Sequence, residues 1–309
     1  MSARWVAAGV RSRGLASHRL GIEGARRVAG ASSLAQAVET LLGGPYGRRL
    51  RPGMGLDAAQ RAVADTAVWN LRVLAGWGSG VEAGGMRILA TLFEIPWVTD
   101  HLRALAGSPV TPPVDLGALS TLGRTVGRAA SPDEVRRALA RSPWGDPGVS
   151  DIAGIRSAMQ LAWARRVVLG VPAAARWAAG FAALVVARAG AAGALSSLGG
   201  APRHDARRVL GPGWDVAGGP PELRRRIPRS GSWVLEGVDD VEGLWRAECR
   251  WWHALDSDGR ALLARSGPGE ASTIGAFGML VADAWRVRAA LEMAARGGHA
   301  APEIVDALG

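Results

Sequence analysis

The chain has 309 residues, 48% of them hydrophobic, and a formal net charge of +10. This length can bury a sizeable core, and no apolar run approaches the ~18 residues of a membrane-spanning helix. All 37 basic residues are arginine, so the lysine that a P-loop requires is absent, and the single cysteine, Cys249, excludes an intrachain disulfide. We therefore expect a protein of the cytoplasm that hydrolyses no ATP itself.

The first third of the chain predicts a series of helices. The first predicted helix lies within residues 1–30 and contains several arginines. Its apolar seam, the line of apolar side chains expected to face the core, is formed by Val6, Val10 and Leu15. A second opens at Ser33 and closes at a Gly-Gly-Pro stop signal. A third carries an inward stripe over residues 56–74 at spacings of three and four. In the run 86–105, Pro96 is predicted to kink or divide the helix.

Later segments continue the helical pattern. Helices are predicted from Ser131, over residues 152–163 and 173–195, and from about Ser272 to Arg296. Residues 199–221 are rich in glycine and proline, which predicts the longest loop of the chain. Because no stretch shows the alternation typical of strands, the sequence predicts an all-α fold.

One sequence motif occurs three times, with the same spacing between its aspartate and its tryptophan. In each copy an aspartate stands where a helix N-cap belongs, and a tryptophan follows twelve residues later on the apolar side of the helix. We predict that the aspartates cap helices and that the tryptophans anchor cores. The pairs are Asp57 with Trp69, Asp151 with Trp163, and Asp240 with Trp252.

The segment before this motif repeats as well. Ser33 and the tripeptide 45–47 (Pro-Tyr-Gly) are matched by Ser131 and the tripeptide 143–145 (Pro-Trp-Gly), and the third copy reaches Trp233 one residue late. Periods of about ninety residues are too long for the common short solenoid repeats. The sequence therefore predicts three similar helical subdomains, over residues 1–107, 108–200 and 201–309.

Recognisable catalytic chemistry is missing from the sequence. The five histidines are scattered without ligand spacing, and no GxSxG motif occurs. His253 stands near Asp256 and Asp258, but carboxylates beside a histidine are common on a polar helix face. Groups of arginines could bind nucleic-acid phosphates, although no aromatic residue is interleaved among them. We predict no cofactor, no metal, no enzymatic activity and no nucleic-acid partner.

The whole chain resembles the family of C-type coupling subunits of V/A-type (vacuolar/archaeal-type) rotary ATPases, to which the eukaryotic d-type subunits are related. Three segments carry the resemblance: the arginine-rich start, residues 33–50 with Tyr46 in an "S-x-x-E … T-x-Y-x-x-x-L" pattern, and the C-terminal part. There the family pattern E-x-x-N-(L/V)-R before a short closing turn is matched by Asp283, Arg286, Val287 and Arg288, followed by residues 303–305. Arg286 stands where the family favours Asn, and Pro96 interrupts the corresponding region of the first copy.

The resemblance implies a funnel of three similar subdomains about a pseudo-threefold axis. It implies a non-catalytic coupling subunit, one copy per complex, that links the central rotor stalk to the membrane rotor ring in proton or sodium transport. Such a subunit lies in the cytoplasm, peripheral at the inner face of the membrane. The alternative is a diverged all-helical adaptor or nucleic-acid-binding protein that uses its arginine-rich helix faces, which would show binding with a steep salt dependence.

Overall fold

The computed structural model describes residues 3–77, 84–110, 112–123, 125–216, 218–267, 269–298 and 306–308. Within these ranges the regular structure is helical and contains no strand, which confirms the all-α class. The α-helices are α1 (Ala3–Ser17), α2 (Gly21–Ala29), α3 (Leu34–Leu42), α4 (Leu56–Gly76), α5 (Gly84–Ala90), α6 (Glu94–Leu105), α7 (Pro132–Ala140), α8 (Ile152–Gly170), α9 (Ala175–Ala191), α10 (Gly200–Leu210), α11 (Pro220–Arg226), α12 (Arg229–Ser232), α13 (Leu244–Arg265) and α14 (Glu270–Ala295).

The chain packs as two compact units. Unit 1 combines Met1–Ala83 with Trp252–Gly309, and unit 2 comprises Gly84–Trp251. The predicted repeats, residues 1–107, 108–200 and 201–309, divide the chain at other places. The division into three repeats and their pseudo-threefold arrangement stay predictions.

Unit 1 is built around α14. This helix is apolar on nearly all sides, so it is buried along most of its length and packs against α1, α2, α3 and α4. Its backbone comes close to that of α13 where Gly259 faces Gly275. A Cβ added at Gly259 would lie only 2.6 Å from the Gly275 carbonyl oxygen, so this close approach requires glycine. The core beside α14 is aliphatic and includes Val28, Val38, Leu41, Leu50, Val63, Val287 and Leu291.

Unit 2 is centred on α8 and α9, which pack against each other and against α5, α6, α10 and α12. Three aromatic residues occupy its middle: the rings of Trp163 and Trp251 each lie 5.2 Å from the ring of Phe181. Trp163 Nε1 donates to the Leu89 carbonyl oxygen at 3.3 Å, and Trp251 Nε1 donates to the Trp177 carbonyl oxygen at 2.7 Å. Both indoles are therefore buried with a hydrogen-bond partner.

The predicted seam of the first helix is wrong. Val6 and Val10 are 44% and 65% exposed, whereas Ala8, Ser12 and Ala16 are buried. Helix α1 packs against α14 through small side chains, which allow the two helix axes to come close. The hydrophobic periodicity of the larger residues therefore indicated the wrong face.

Two further boundaries differ from the sequence-based expectation. Residues 200–210 form α10 rather than a long loop, because Pro202 lies in the first turn, where a proline breaks no helical hydrogen bond. Pro96 also lies in the first turn, that of α6. The predicted division of this run occurs just before it, in the 3-10 turn Thr91–Phe93.

None of the described helices combines the length and the apolarity that crossing a bilayer requires.

Candidate functional site

A buried carboxylate of α14 binds two segments from the start of the chain. Asp283 is 1% exposed, and its oxygens accept from the backbone N–H of Leu20 at 3.0 Å, from that of Gly21 at 2.8 Å and from the hydroxyl of Tyr46 at 2.8 Å. We call this arrangement, in which a buried carboxylate accepts from backbone amides and from the polar group of one aromatic side chain, a carboxylate clasp. The clasp ties the α1–α2 junction and the segment after α3 to the central helix of unit 1.

Tyr46 donates to this carboxylate as a neutral phenol. Burial raises the pKa of Tyr46 well above its ordinary value, and the negative charge and hydrogen bond of Asp283 raise it further. The phenol therefore stays protonated and remains a hydrogen-bond donor at any physiological pH.

A second buried carboxylate in unit 1, Asp256 of α13, is surrounded by arginines. It accepts from Arg19 at 2.6 Å, from Arg286 at 2.9 Å and from Arg260. Burial alone would raise the pKa of Asp256, but the positive charges of Arg286, Arg19 and Arg260 outweigh burial and lower it. Arg286 also donates from Nε to the Leu308 carbonyl oxygen at 2.8 Å, and both Asp256 and Arg286 are only 2% exposed in their side chains. Breaking a pair buried to this degree costs roughly 3–5 kcal/mol.

Unit 2 contains a second carboxylate clasp. Glu94, at the first position of α6, is 1% exposed. Its oxygens accept from the backbone N–H of Thr121 at 2.6 Å and of Leu122 at 3.1 Å, and from Trp144 Nε1 at 2.8 Å. The hydroxyls of Ser120 and Thr121 donate to it as well, at 2.9 and 2.6 Å. In both units a buried carboxylate therefore accepts a hydrogen bond from an aromatic side chain, an indole N–H in unit 2 and a phenol O–H in unit 1.

The local sequence explains why the two aromatic residues occupy equivalent positions. Ser33 caps α3 by accepting from the Gln36 N–H, and Ser131 caps α7 by accepting from the Glu134 N–H. In both copies the aromatic residue follows the capping serine by thirteen residues, after a nine-residue helix. Tyr46 and Trp144 thus take the same position relative to their capped helices, and the repeat itself stays a prediction.

The third aromatic residue of this series, Trp233, makes a different contact. Its ring packs on α9, where Gly180 leaves room: a Cβ at Gly180 would lie 2.7 Å from Trp233 Cζ2. The guanidinium of Arg176 lies 4.0 Å from the ring centroid, and Trp233 Nε1 donates to the Ser230 carbonyl oxygen at 3.0 Å. A cation–π contact stands here in place of the carboxylate.

The predicted aspartate cap is formed in one of the three copies. Asp151 caps α8 and accepts from the Gly154 N–H at 2.8 Å. Asp240 accepts from the Gly243 N–H at 2.7 Å within a turn, but α13 begins only at Leu244, so Asp240 is not its N-cap. The prediction for Asp57 is wrong. Helix α4 begins at Leu56, two residues before the start that an Asp57 cap requires, and Gly55 is its N-cap. Asp57 lies exposed in the first turn, where its negative charge interacts favourably with the positive end of the helix dipole.

The three tryptophans that were predicted to anchor cores differ in how deeply they are buried. Trp163 is a core residue, 1% exposed. Trp69 is 36% exposed beneath the guanidinium of Arg48, 5.0 Å from its ring, so its prediction as a core anchor is wrong. Trp252 is half-buried and stacks on Trp285 at 5.5 Å, whereas its neighbour Trp251 takes the buried position.

These contacts correct the register of the repeat by one residue. Trp251 binds the Trp177 carbonyl as Trp163 binds the Leu89 carbonyl, and both partners precede their tryptophans by 74 residues. The sequence repeat aligned Trp163 with Trp252, because two adjacent tryptophans fit the spacing almost equally well. The hydrogen bond to the Trp177 carbonyl and the packing on Phe181 identify Trp251 as the residue that corresponds to Trp163.

The C-terminal motif residues face in different directions. Asp283 and Arg286 carry the buried polar contacts of unit 1, Val287 is buried in the aliphatic core, and Arg288 is exposed. Residues 303–305, which the resemblance also includes, lie outside the described residues. Glu94, Asp256 and Tyr46 were not predicted to bind anything. Two sequence signals pointed to Tyr46, its match with Trp144 and its place in the family resemblance, whereas none indicated the hydrogen bonds of Glu94 or Asp256.

His253 has a structural environment. Its Nε2 lies 3.0 Å from the Ala307 carbonyl oxygen, and its ring lies 6.5 Å from that of Trp285. Burial, together with the positive charge of Arg286, lowers the pKa of His253. In the part of the chain that the structure describes, no group of three or more histidine, cysteine, aspartate or glutamate side chains could hold a metal ion.

The clasp carboxylates have little capacity for further bonding. Each accepts at least three hydrogen bonds from its own chain, so its role is to fix neighbouring segments. No protein-family model matches the chain, and no curated protein matches it significantly.

Proposed function

We propose that this chain is the non-catalytic coupling subunit of a V/A-type rotary ATPase, linking the central rotor stalk to the membrane rotor ring. One observation carries the proposal. Tyr46 and Asp283 belong to two separate motifs of the family resemblance, they lie 237 residues apart, and they share a 2.8 Å hydrogen bond. Motifs that were recognised independently therefore bind each other.

The second clasp supports the same proposal. Trp144 takes the place of Tyr46 in the repeated pattern, and it binds the buried carboxylate of Glu94 at 2.8 Å. A clasp used twice within one chain is expected of a protein built from repeats of one helical bundle. It is also compatible with a passive mechanical role, because a close-packed interior deforms little under load.

The proposal implies a location and partners. The chain would act from the cytoplasmic side, peripheral to the membrane, with one copy in each complex and without a cofactor. It would transmit rotation between the stalk and the ring while other subunits hydrolyse or synthesise ATP.

The direct test is purification of the tagged full-length chain from native membranes, followed by mass spectrometry. Stalk and rotor-ring subunits of a V/A-type ATPase should be recovered in defined stoichiometry. Recovery of the chain with none of these subunits would refute the proposal.

A functional test uses cells that lack the chain. Membrane vesicles from such cells should lose ATP-driven ion uptake, and the wild-type chain should restore it. Asp283→Ala, which removes the unit 1 clasp, should fail to restore uptake. Asp57→Ala, which removes an exposed carboxylate that caps no helix, should restore it fully. Undiminished uptake in the cells that lack the chain would contradict the proposal.

A further inference from the structure

A patch of unit 2 carries positive charge that its own carboxylates do not balance. Residues 200–232 contain seven arginines and three carboxylates. Each carboxylate is already paired: Asp205 with Arg165 at 2.6 Å, Asp215 with Arg203 at 2.7 Å, and Glu222 with Arg226 at 2.5 Å. Arg224 reaches a carboxylate outside this stretch, that of Glu236, at 3.5 Å.

Four arginines are left without an ion pair to any described residue, and all four are exposed. We call them the basic patch: Arg207 and Arg208 in the last turn of α10, Arg225 in the last turn of α11, and Arg229 at the first position of α12.

Close backbone approaches bring these helix ends together. A Cβ at Gly211, the residue after α10, would lie 3.8 Å from the ring of Pro228, and one at Gly231 would lie 3.1 Å from the Leu210 side chain. A Cβ at Gly213 would lie 3.9 Å from Arg226. The end of α10 is thus packed beside the α11–α12 junction, so the four exposed arginines extend from neighbouring helix ends.

Helix dipoles explain only part of this charge. Basic residues in a last turn interact favourably with the negative end of a helix, but each helix end is equivalent to only about half a unit charge. Three of the four charges lie at the C-terminal ends of α10 and α11, and Arg229 lies at the N-terminal end of α12, where the dipole does not favour a positive charge. The remaining field attracts anions.

The surroundings of the patch decide which polyanion fits. Among the described residues of 200–232 no large hydrophobic side chain is exposed, and Val241, which lines a groove with Pro220 and Leu223, is the exposed apolar side chain beside α11. An aromatic anchor of the kind typical of a protein interface is not formed by these residues. Trp214 is buried and the ring of Trp233 is covered by Arg176, so no free aromatic face is offered to a nucleic-acid base.

We infer that the basic patch binds the anionic headgroups of a lipid bilayer. Arginine guanidinium groups bind phosphate and carboxylate oxygens in a planar, bidentate manner, and a headgroup layer presents both. Binding of this kind requires a high density of positive charge on the protein surface, and it requires no insertion of side chains into the bilayer. The inference does not depend on the proposed function, because it concerns the purified chain alone.

The test measures binding of the purified full-length chain to large vesicles by co-sedimentation. Vesicles of phosphatidylcholine and phosphatidylserine, about 7:3, are compared with pure phosphatidylcholine. At roughly fivefold per arginine near an anionic surface, the four together should favour the anionic vesicles by several hundredfold. Binding should fall steeply as salt shortens the Debye length from about 10 Å at 0.1 M to about 3 Å at 1 M.

Two variants with equal loss of charge locate the effect. The patch variant carries Arg207→Gln, Arg208→Gln, Arg225→Gln and Arg229→Gln, and should lose the several-hundredfold preference. The dispersed variant replaces four exposed arginines elsewhere by Gln and should keep most of it: Arg27, Arg49, Arg128 and Arg141. Circular dichroism should show unchanged helix content in both, because all eight side chains are exposed.

Three results would overturn the inference. The first is equal binding of the wild-type chain to both kinds of vesicle. The second is an equal loss in the patch and dispersed variants, which would assign the effect to net charge alone. The third is binding to a labelled RNA or DNA oligonucleotide that the patch variant loses, without binding to anionic vesicles, which would identify a nucleic-acid surface instead.

Discussion

At the scale of single residues, two buried carboxylates account for the fixed geometry of the clasps. Asp283 and Glu94 are each 1% exposed, and each accepts from two backbone amides and one aromatic side chain. A carboxylate suits this position because it only accepts, whereas an amide side chain would direct its own N–H groups at other donors. The identity of the residue is therefore set by the donors around it.

Replacing Asp283 by Asn should destabilise unit 1 strongly. The variant leaves at least one buried backbone N–H without an acceptor, so we expect the free energy of unfolding to fall by roughly 3 kcal/mol. Tyr46→Phe removes one hydrogen bond to the charge and should cost about 1.5–3 kcal/mol. Urea unfolding followed by circular dichroism measures both. Asp57→Asn, at an exposed position, should stay within about 0.5 kcal/mol of the wild type, and a loss as large as that of Asp283→Asn would disprove this account.

His253 should make stability depend on pH in the acidic range. Its pKa is lowered in the folded chain, so between that lowered value and the unfolded value of about 6.5 the unfolded chain binds more protons. Stability from this group is present above about pH 6.5 and is lost as the pH falls towards the folded pKa. Unfolding midpoints in urea from pH 8 to 5 should show this decline. In His253→Gln the decline should be shallower over the same interval, and an unchanged slope would contradict the assignment.

At the scale of elements, the repeated helices differ in how they bury their tryptophans. Trp163 of α8 and Trp251 of α13 both pack against Phe181 of α9. Trp252, which the sequence repeat selected, stacks on Trp285 and stays half-buried. One residue of register turns a helical side chain by about 100°, so a shift that is invisible in the sequence pattern moves a ring from one face to another.

Replacing each of these tryptophans by alanine should show, from the loss of stability, which of them anchors a core. Trp251→Ala removes a 1% exposed indole and its hydrogen bond, and should cost about 3–5 kcal/mol, as should Trp163→Ala. Trp252→Ala should cost clearly less, because part of its surface is already in water. Thermal unfolding of the three variants gives the comparison. Equal losses at 251 and 252 would mean that both positions anchor a core.

At the scale of the whole molecule, unit 1 is formed from the two ends of the chain. Helix α14 lies in its centre and contacts α1, α2, α3 and α4, whereas the core of unit 2 is complete within residues 84–251. A unit with its own core can keep its structure when another loses its central helix.

Truncation after Arg265, which removes α14, should therefore affect the two units differently. We expect amides of α2, α3 and α4 to lose protection from hydrogen exchange, because their core partner is gone. Amides of α8 and α9 should keep wild-type protection. Mass-spectrometric hydrogen exchange on the truncated and full-length chains makes the comparison. Uniform loss of protection throughout the chain would show that the units do not fold independently.

The sequence by itself determined the all-α class, the helix that Ser33 caps, the helix that Asp151 caps and the long C-terminal helix. These features follow from local signals: capping oxygens, glycine and proline stops, and apolar periodicity, which act over a few residues. It also revealed the match between Tyr46 and Trp144, because a repeat is visible as spacing.

The tertiary structure alone decided which polar atoms meet. The bond between Tyr46 and Asp283, the arginines around Asp256 and the exposure of Trp69 all depend on contacts between segments distant in the chain. No local signal encodes such contacts, because a buried carboxylate is tolerated only where folding delivers several donors to it at once. The sequence specifies the helices, and the packing of those helices specifies the clasps.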